Sequence, residues 1–161
     1  MTVEILCVGK LKEDYWRDAL AEYGKRLSRF CKFIVTELPE TKLPDGAGPS
    51  EEQAVIRSES EALMKKLPRG QGSYRIALAV KGKQLSSEAL AEKMAALQLD
   101  GISHITFVIG GSLGMSRQLL DACDYQLSFS AMTFPHQMMR VILAEQIYRT
   151  FKINANETYH K

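Results

Sequence analysis

Cysteine and histidine are scarce. The three cysteines, Cys7, Cys31 and Cys123, are widely separated and form no C-x-x-C pair. That spacing excludes a zinc ribbon or a disulfide framework and predicts small buried thiols in a reducing, cytoplasmic setting. The three histidines, His104, His136 and His160, are scattered as well, so no metal site is expected. No apolar run approaches the ~20 residues that a spanning helix needs, so no membrane partner is expected. The opening stretch, MTVEILCV, carries an acid and lacks a basic flank. It reads as a strand and not as a signal peptide. A dominant charge is missing too: 21 Lys and Arg against 19 Asp and Glu leave a net +2. That excludes a binder working through bulk charge. Locally, Lys10, Lys12, Arg17, Lys25, Arg26, Arg29 and Lys32 crowd together, interleaved with Glu13, Asp14, Asp18 and Glu22. This stretch fits either a solvated helix face or a patch that meets phosphates.

What is present suits one domain spanning residues 1–161, with chain enough for a substantial core. Residues 2–8 predict a strand ended by Gly9. A helix starting at Glu13 or Asp14 carries Trp16, Leu20, Tyr23 and Leu27 at helical spacing. Residues 32–38 predict a second strand, and Pro39, Pro44, Gly46, Gly48 and Pro49 mark a long loop. Ser50, followed by Glu51 and Glu52, reads as the cap of a helix to about Lys66. Further strands are predicted at 74–80, 104–109 and 125–129, with helices to about Leu99, through Leu119 and Leu120, and over 135–152. The run 104–109 is apolar at nearly every position, which suits a central parallel strand covered on both faces. Strict β-α alternation predicts an α/β fold, a mostly parallel sheet flanked by helices. In such sheets ligands lie outside the carboxyl ends of strands. Three ends stand out: 78–81, 109–114 and 128–134.

The turn Gly110-Gly111-Ser112-Leu113-Gly114 admits several readings. It lacks the G-x-G-x-x-G order and follows the wrong strand for a dinucleotide fingerprint. It also matches G-x-S-x-G, the nucleophile elbow of serine hydrolases, with Ser112 as nucleophile. Asp121 or Asp124, then His136 or His160, follow in the required order. Against that stand the short chain and the lack of an HGGG-type segment. In the third reading, bare N–H groups approach a ligand closely. The downstream loop Phe129-Ser130-Ala131-Met132-Thr133-Phe134 would then line an adenine pocket with main-chain groups and one apolar side.

The C-terminal segment is rich in groups that bind and transform ligands: His136, Arg140, Glu145, Tyr148, Arg149, Tyr159 and His160. Glu145 and Arg149 also stand at the spacing of a plain helical ion pair, and His136, after Pro135, reads as loop-ordering. The helix itself is apolar almost all round, through Met138, Met139, Val141, Ile142, Leu143, Ile147 and Phe151. A helix of that kind needs cover on more than one side, which predicts a homodimer.

Taken together, residues 107–111, 127–141 and 145–149, the terminal Tyr159-His160-Lys161, and the start Val8-Gly9-Lys10-Leu11-Lys12 with Tyr15-Trp16 and Glu22-Tyr23 resemble one family. The chain is similar throughout to the ribosomal RNA large subunit methyltransferase H family of the SPOUT superfamily. The resemblance implies an S-adenosyl-L-methionine-dependent enzyme with a C-terminal trefoil knot, acting as a homodimer. It implies N3-methylation of pseudouridine 1915 in helix 69 of 23S rRNA, on the assembled ribosome. By the same resemblance Leu78, Gly110, Phe129, Ser130, Ala131, Met132, Thr133 and Phe134 match the cofactor-binding positions. Arg140, Glu145, Tyr148, Arg149, Tyr159 and His160 match motif positions with catalytic candidates among them. His160 is the base candidate by side-chain type, Arg140 or Arg149 suits an anion, and Tyr159 suits stacking on a base. Leu113 and Ala131 depart from the family pattern, and main-chain contacts there are expected to survive.

Overall fold

The computed structural model describes residues 1–159. Its elements are β1 (Thr2–Val8), α1 (Asp14–Leu27), β2 (Lys32–Leu38), α2 (Pro49–Lys66), β3 (Ser73–Gln84), α3 (Ser87–Leu99), β4 (His104–Ile109), α4 (Arg117–Asp121), β5 (Tyr125–Ser128) and α5 (His136–Asn154). The five strands form one sheet in the order β2-β1-β4-β3-β5, and every neighbouring pair is parallel. Continuous apolar strands therefore lie at its centre, where β4 is buried at every position after His104.

Alternation along the strands divides the core into two layers. Val3, Ile5, Cys7, Ile105, Phe107 and Ile109 point to one face, where Leu20, Leu27, Met94, Leu143 and Ile147 of α1, α3 and α5 cover them. Leu6, Val8 and Val108 point to the other, beneath Leu63 of α2 and Leu119 of α4. Helix α5 lies between α1 and α3. Its buried positions, 139, 140, 143, 144, 147 and 150, form one face, while Met138, Val141, Ile142 and Tyr148 stay half-buried in this one chain. No helix among the described residues is long and apolar enough to cross a membrane.

Two of the boundaries that differ from the sequence expectation have a clear local cause. Helix α2 starts one residue before Ser50: Pro49, with its preset φ, takes the first turn, and the Glu51 carboxylate accepts from the Gly48 N–H at 2.6 Å. Strand β3 continues past Val80 to Gln84. Leu78 and Lys83 both register with Leu127 of β5, so residues 79–82 form an irregular excursion between two pairings with the same strand. Gly82 permits this crossing. A β-carbon there would stand 2.6 Å from the Gln126 carbonyl oxygen, so a side chain is excluded by backbone.

Candidate active site

The middle of β3, at 78–80, and the carboxyl ends of β4 and β5 converge with the start of α5 around a cavity of about 500 Å³. Leu78, Gly110 and Met132, from three separate crossings of the chain, all line it. So do Phe129, Ser130, Thr133 and Phe134. Ala131 belongs to the same loop but is not among the lining residues. The walls are largely apolar, through Leu78, Ile109, Met115, Leu127 and Met139, and polar recognition falls mainly to main-chain groups and small hydroxyls.

The two loops that shape the cavity are braced from behind. Ser128, almost fully buried, donates its hydroxyl toward the carbonyls of Val80 at 2.9 Å and Ser130 at 3.1 Å. The Ser130 hydroxyl accepts from Met132 N–H at 3.0 Å. In the glycine turn, the Gly114 N–H donates to the Gly111 carbonyl at 3.0 Å, and Gly114 takes φ +90°. Gly110 has no room for a side chain, because a β-carbon would sit 2.6 Å from Met115 Cγ and 2.9 Å from the Gly114 carbonyl oxygen.

Helix α2 supports the same turn with two buried polar residues. The Ser60 hydroxyl accepts from Ser116 N–H at 2.9 Å. Glu59, 4% exposed, accepts from Thr41 N–H at 3.0 Å and presses its other oxygen onto Gly111, where a methyl group would collide with it. Burial, then nearby Glu40, raises the Glu59 pKa, while the Thr41 hydrogen bond opposes them. A carboxyl whose folded pKa is raised favours the native state at low pH and loses that contribution as pH rises through the folded value. Glu59→Gln is therefore expected to raise Tm at neutral pH relative to wild type. The gain should shrink toward zero at pH values below the carboxylate range. Calorimetric melting across pH tests this, and a lower Tm for the variant at pH 7 would show that the charged form is needed to hold the turn.

Arg140 lies behind the cavity and not in its lining. The side chain is fully buried, donating from Nη1 to Glu37 Oε1 at 2.8 Å and from Nη2 to the Val8 carbonyl at 2.6 Å. Glu37 also accepts from Leu11 N–H at 3.1 Å. The guanidinium thus ties α5 to the carboxyl ends of β1 and β2, and among the described residues its Nε has no hydrogen-bond partner.

A second cluster lies farther along α5. Arg149 grips Glu145 from Nη2 at 2.6 Å and Nε at 3.0 Å. Tyr159 donates to the same Glu145 oxygen at 3.2 Å, lies 4.8 Å beneath the Arg149 guanidinium, and packs edge-on against Tyr148. Burial first, then the Glu145 charge, push the Tyr159 phenol up to about 12. Glu145 is nine residues beyond His136, about 14 Å along the helix axis at 1.5 Å per residue. Within one chain the tail tyrosine is therefore docked away from the cavity. His160 lies outside the described residues.

The family described as "Predicted SPOUT methyltransferase" matches residues 1–160. Proteins named "Ribosomal RNA large subunit methyltransferase H" from Bifidobacterium animalis subsp. lactis, Bifidobacterium adolescentis and Clostridium novyi are each 52% identical to this chain over 161 residues, covering 100% of both sequences. The chain belongs to the ribosomal RNA large subunit methyltransferase H family of SPOUT methyltransferases. In fold it is similar to a probable methylase family protein from Haemophilus influenzae Rd KW20, at TM-score 0.54 and 14% identity, over 99% of this chain and 70% of that one.

For a SPOUT methyltransferase the serine-hydrolase reading fails on geometry. Asp121 faces Arg117 and Asp124 faces Arg75, and among the described residues no hydrogen bond joins Ser112 to a histidine. Sequence reasoning missed Glu59 and Ser60 as supports of the turn, and gave His136 an ordering role, with a catalytic one only in the hydrolase reading. The signal for Glu59 was present: it stands four residues from both Val55 and Leu63, on the buried stripe of α2.

Proposed function

We propose that this SPOUT methyltransferase uses S-adenosyl-L-methionine to methylate N3 of pseudouridine 1915 in helix 69 of 23S rRNA, on the assembled ribosome and thus in the cytoplasm. The family supports the reaction class. One structural observation supports the site: Leu78, Gly110 and Met132 face a single cavity. Its features fit an adenosine-bearing donor. The lining offers apolar surface, the glycine turn is bare, and a β-carbon at Gly110 would intrude on the turn itself.

When bound, the donor supplies an activated methyl group on a sulfonium, open to in-line displacement. Leu78, Gly110 and residues 129–134 would hold it, chiefly through main-chain atoms, and the apolar walls would exclude water. The uracil N3 carries a proton at neutral pH and is a poor nucleophile until that proton leaves. Donors that stabilise the resulting anion across O2 and O4 assist its loss.

In the proposed architecture the C-terminal segment is threaded as a trefoil knot through the excursion at 79–82. Supporting this are the paired registers of Leu78 and Lys83 on Leu127, the contact of Gly82 with Gln126, and the Ser128–Val80 hydrogen bond. Two chains pair through the half-buried outer face of α5. The cluster of Glu145, Arg149 and Tyr159, with His160, then serves the cavity of the other subunit, with Tyr159 stacking on the RNA base. Arg149 is suited to phosphate or to the developing anion, and Arg140 acts from behind by fixing α5.

Mass spectrometry of rRNA from unmethylated ribosomes, incubated with enzyme and isotope-labelled donor, tests the assignment. One labelled methyl on pseudouridine 1915 is expected. Label at another nucleotide would redirect the enzyme to a different RNA target, and no label despite donor binding would sink the reading.

A further inference from the structure

We infer that His136, in the lining of the cavity, is the proton acceptor for the target base; this rests on the methyltransferase reading above. Among the described residues that line the cavity, His136 is the single side chain able to take up a proton near neutrality. Every other lining residue is apolar, a glycine, or carries a neutral hydroxyl. A base abstracting the N3 proton must come within hydrogen-bond reach of that atom, directly or through one water. His136 starts α5 directly after the 129–134 loop, so the segment that shapes the cavity also carries the imidazole.

The surroundings hold the ring in the state a base needs. The absence of a side chain at Gly9 leaves space beside it: a β-carbon there would stand 3.9 Å from His136 Nε2 and 3.7 Å from Arg140 Nη2. Charged groups reach the ring from three elements: Arg140 from α5, Lys12 from the segment after β1, and Glu40 from the segment after β2. Burial is the largest influence, followed by Arg140, and with Lys12 these lower the His136 pKa against the opposing pull of Glu40. The imidazole is therefore neutral at pH 7 and free to accept. Arg140 thereby gains a second role. Held by Glu37 and the Val8 carbonyl, it keeps a fixed positive charge behind the histidine.

The step balances. The N3–H bond breaks and its proton passes to the imidazole. The N3 electron pair forms the new bond to the methyl carbon as the carbon–sulfur bond breaks, and its electrons stay on sulfur, which leaves as a neutral thioether. The imidazolium then returns its proton to solvent.

His136→Gln is expected to bind the donor within about threefold of wild type by calorimetry and to lose about 100-fold or more in single-turnover methylation of ribosomes. The acid limb of the wild-type pH profile should vanish with it. His136→Ala should regain activity with added imidazole. Independently of turnover, NMR titration of the donor-free wild-type protein should place the His136 pKa below that of an exposed histidine. A His136→Gln enzyme that methylates within threefold of wild type and keeps its acid limb would overturn the inference. So would an acid limb removed by His160→Gln in place of His136→Gln, or a His136 ring found protonated at pH 7. Should wild type label no nucleotide of the ribosome, the functional reading falls, whereas an active wild type with an unaffected His136→Gln variant removes only the role of this histidine.

Discussion

Mixed dimers of Gly110→Val chains and chains lacking residues 159–161 are expected to recover methyl transfer, although each parent is inactive alone. The two lesions strike different places. At Gly110 any side chain meets the Gly114 carbonyl and Met115, so valine closes the donor cavity while the tail stays intact. Deleting the terminal residues removes Tyr159, which docks on Glu145, about 9 Å along α5 from the last lining residue, Met139, and leaves the lining whole. If the tail serves the opposite cavity, a mixed dimer holds one site with a sound cavity and a sound tail. Random pairing makes half the dimers mixed, each with one working site of two, so activity should return to about a quarter of wild type. Calorimetry supplies the control: truncated chains keep donor affinity, and Gly110→Val chains lose about 100-fold or more, near 3 kcal/mol. Mixtures that stay inactive, with each parent folded, would show that a single chain builds each site.

Removing the guanidinium of Arg140 is expected to produce the largest loss of stability of any single substitution at the site. Arg140→Ala leaves a void where a fully buried side chain stood and strips partners from the Val8 carbonyl and Glu37. The cost should be about 3 kcal/mol, which lowers Tm by roughly 10 °C for a domain of this size. Arg140→Met should recover part of it, because the thioether fills volume and Glu37 retains 29% side-chain exposure through which water can solvate it. Thermal and urea unfolding of both variants test this. A loss below about 1 kcal/mol for alanine would mean that the tie to β1 and β2 is replaced without penalty by water. A methionine variant that is stable yet displays a shifted His136 titration would separate the electrostatic role of Arg140 from its structural one.

The layout was legible because hydrophobic patterning reports burial directly. The run at 105–109, apolar at all positions but Thr106, marked the central strand, and Gly9, Gly110 and Pro135 punctuated the right boundaries. The positions expected at the cavity, Leu78, Gly110 and the 129–134 loop, came from the family resemblance and coincided with strand ends found from layout alone. What stayed hidden involves contacts between distant segments. Residues 79–84 read as the end of a strand and a turn, because nothing local announces that Lys83 pairs with Leu127 after Leu78 already has. Arg140 read as a residue suited to an anion, by its charge and its motif position, whereas arginine is seldom buried. Its spacing to Leu143, Ala144 and Ile147 placed it on the buried face of α5, and there geometry outweighed residue type. The tail was legible as chemistry and not as position: Glu145 and Arg149 announced an ion pair, whereas the docking of Tyr159 onto it depends on where the chain turns after Asn154.

The tie between Val8 and Arg140 has a consequence for biosynthesis. Strand β1 leaves the exit tunnel more than 100 residues before α5 (Thr2–Val8 against His136–Asn154), yet the two share one interior, and Val3, Ile5 and Cys7 are covered in part by Leu143 and Ile147. A nascent chain of this protein must keep β1 soluble until α5 has been synthesised. Messages cut short even within α5 would therefore yield polypeptides that expose β1 to chaperones and proteases, and quality control would be the first reader of any late frameshift.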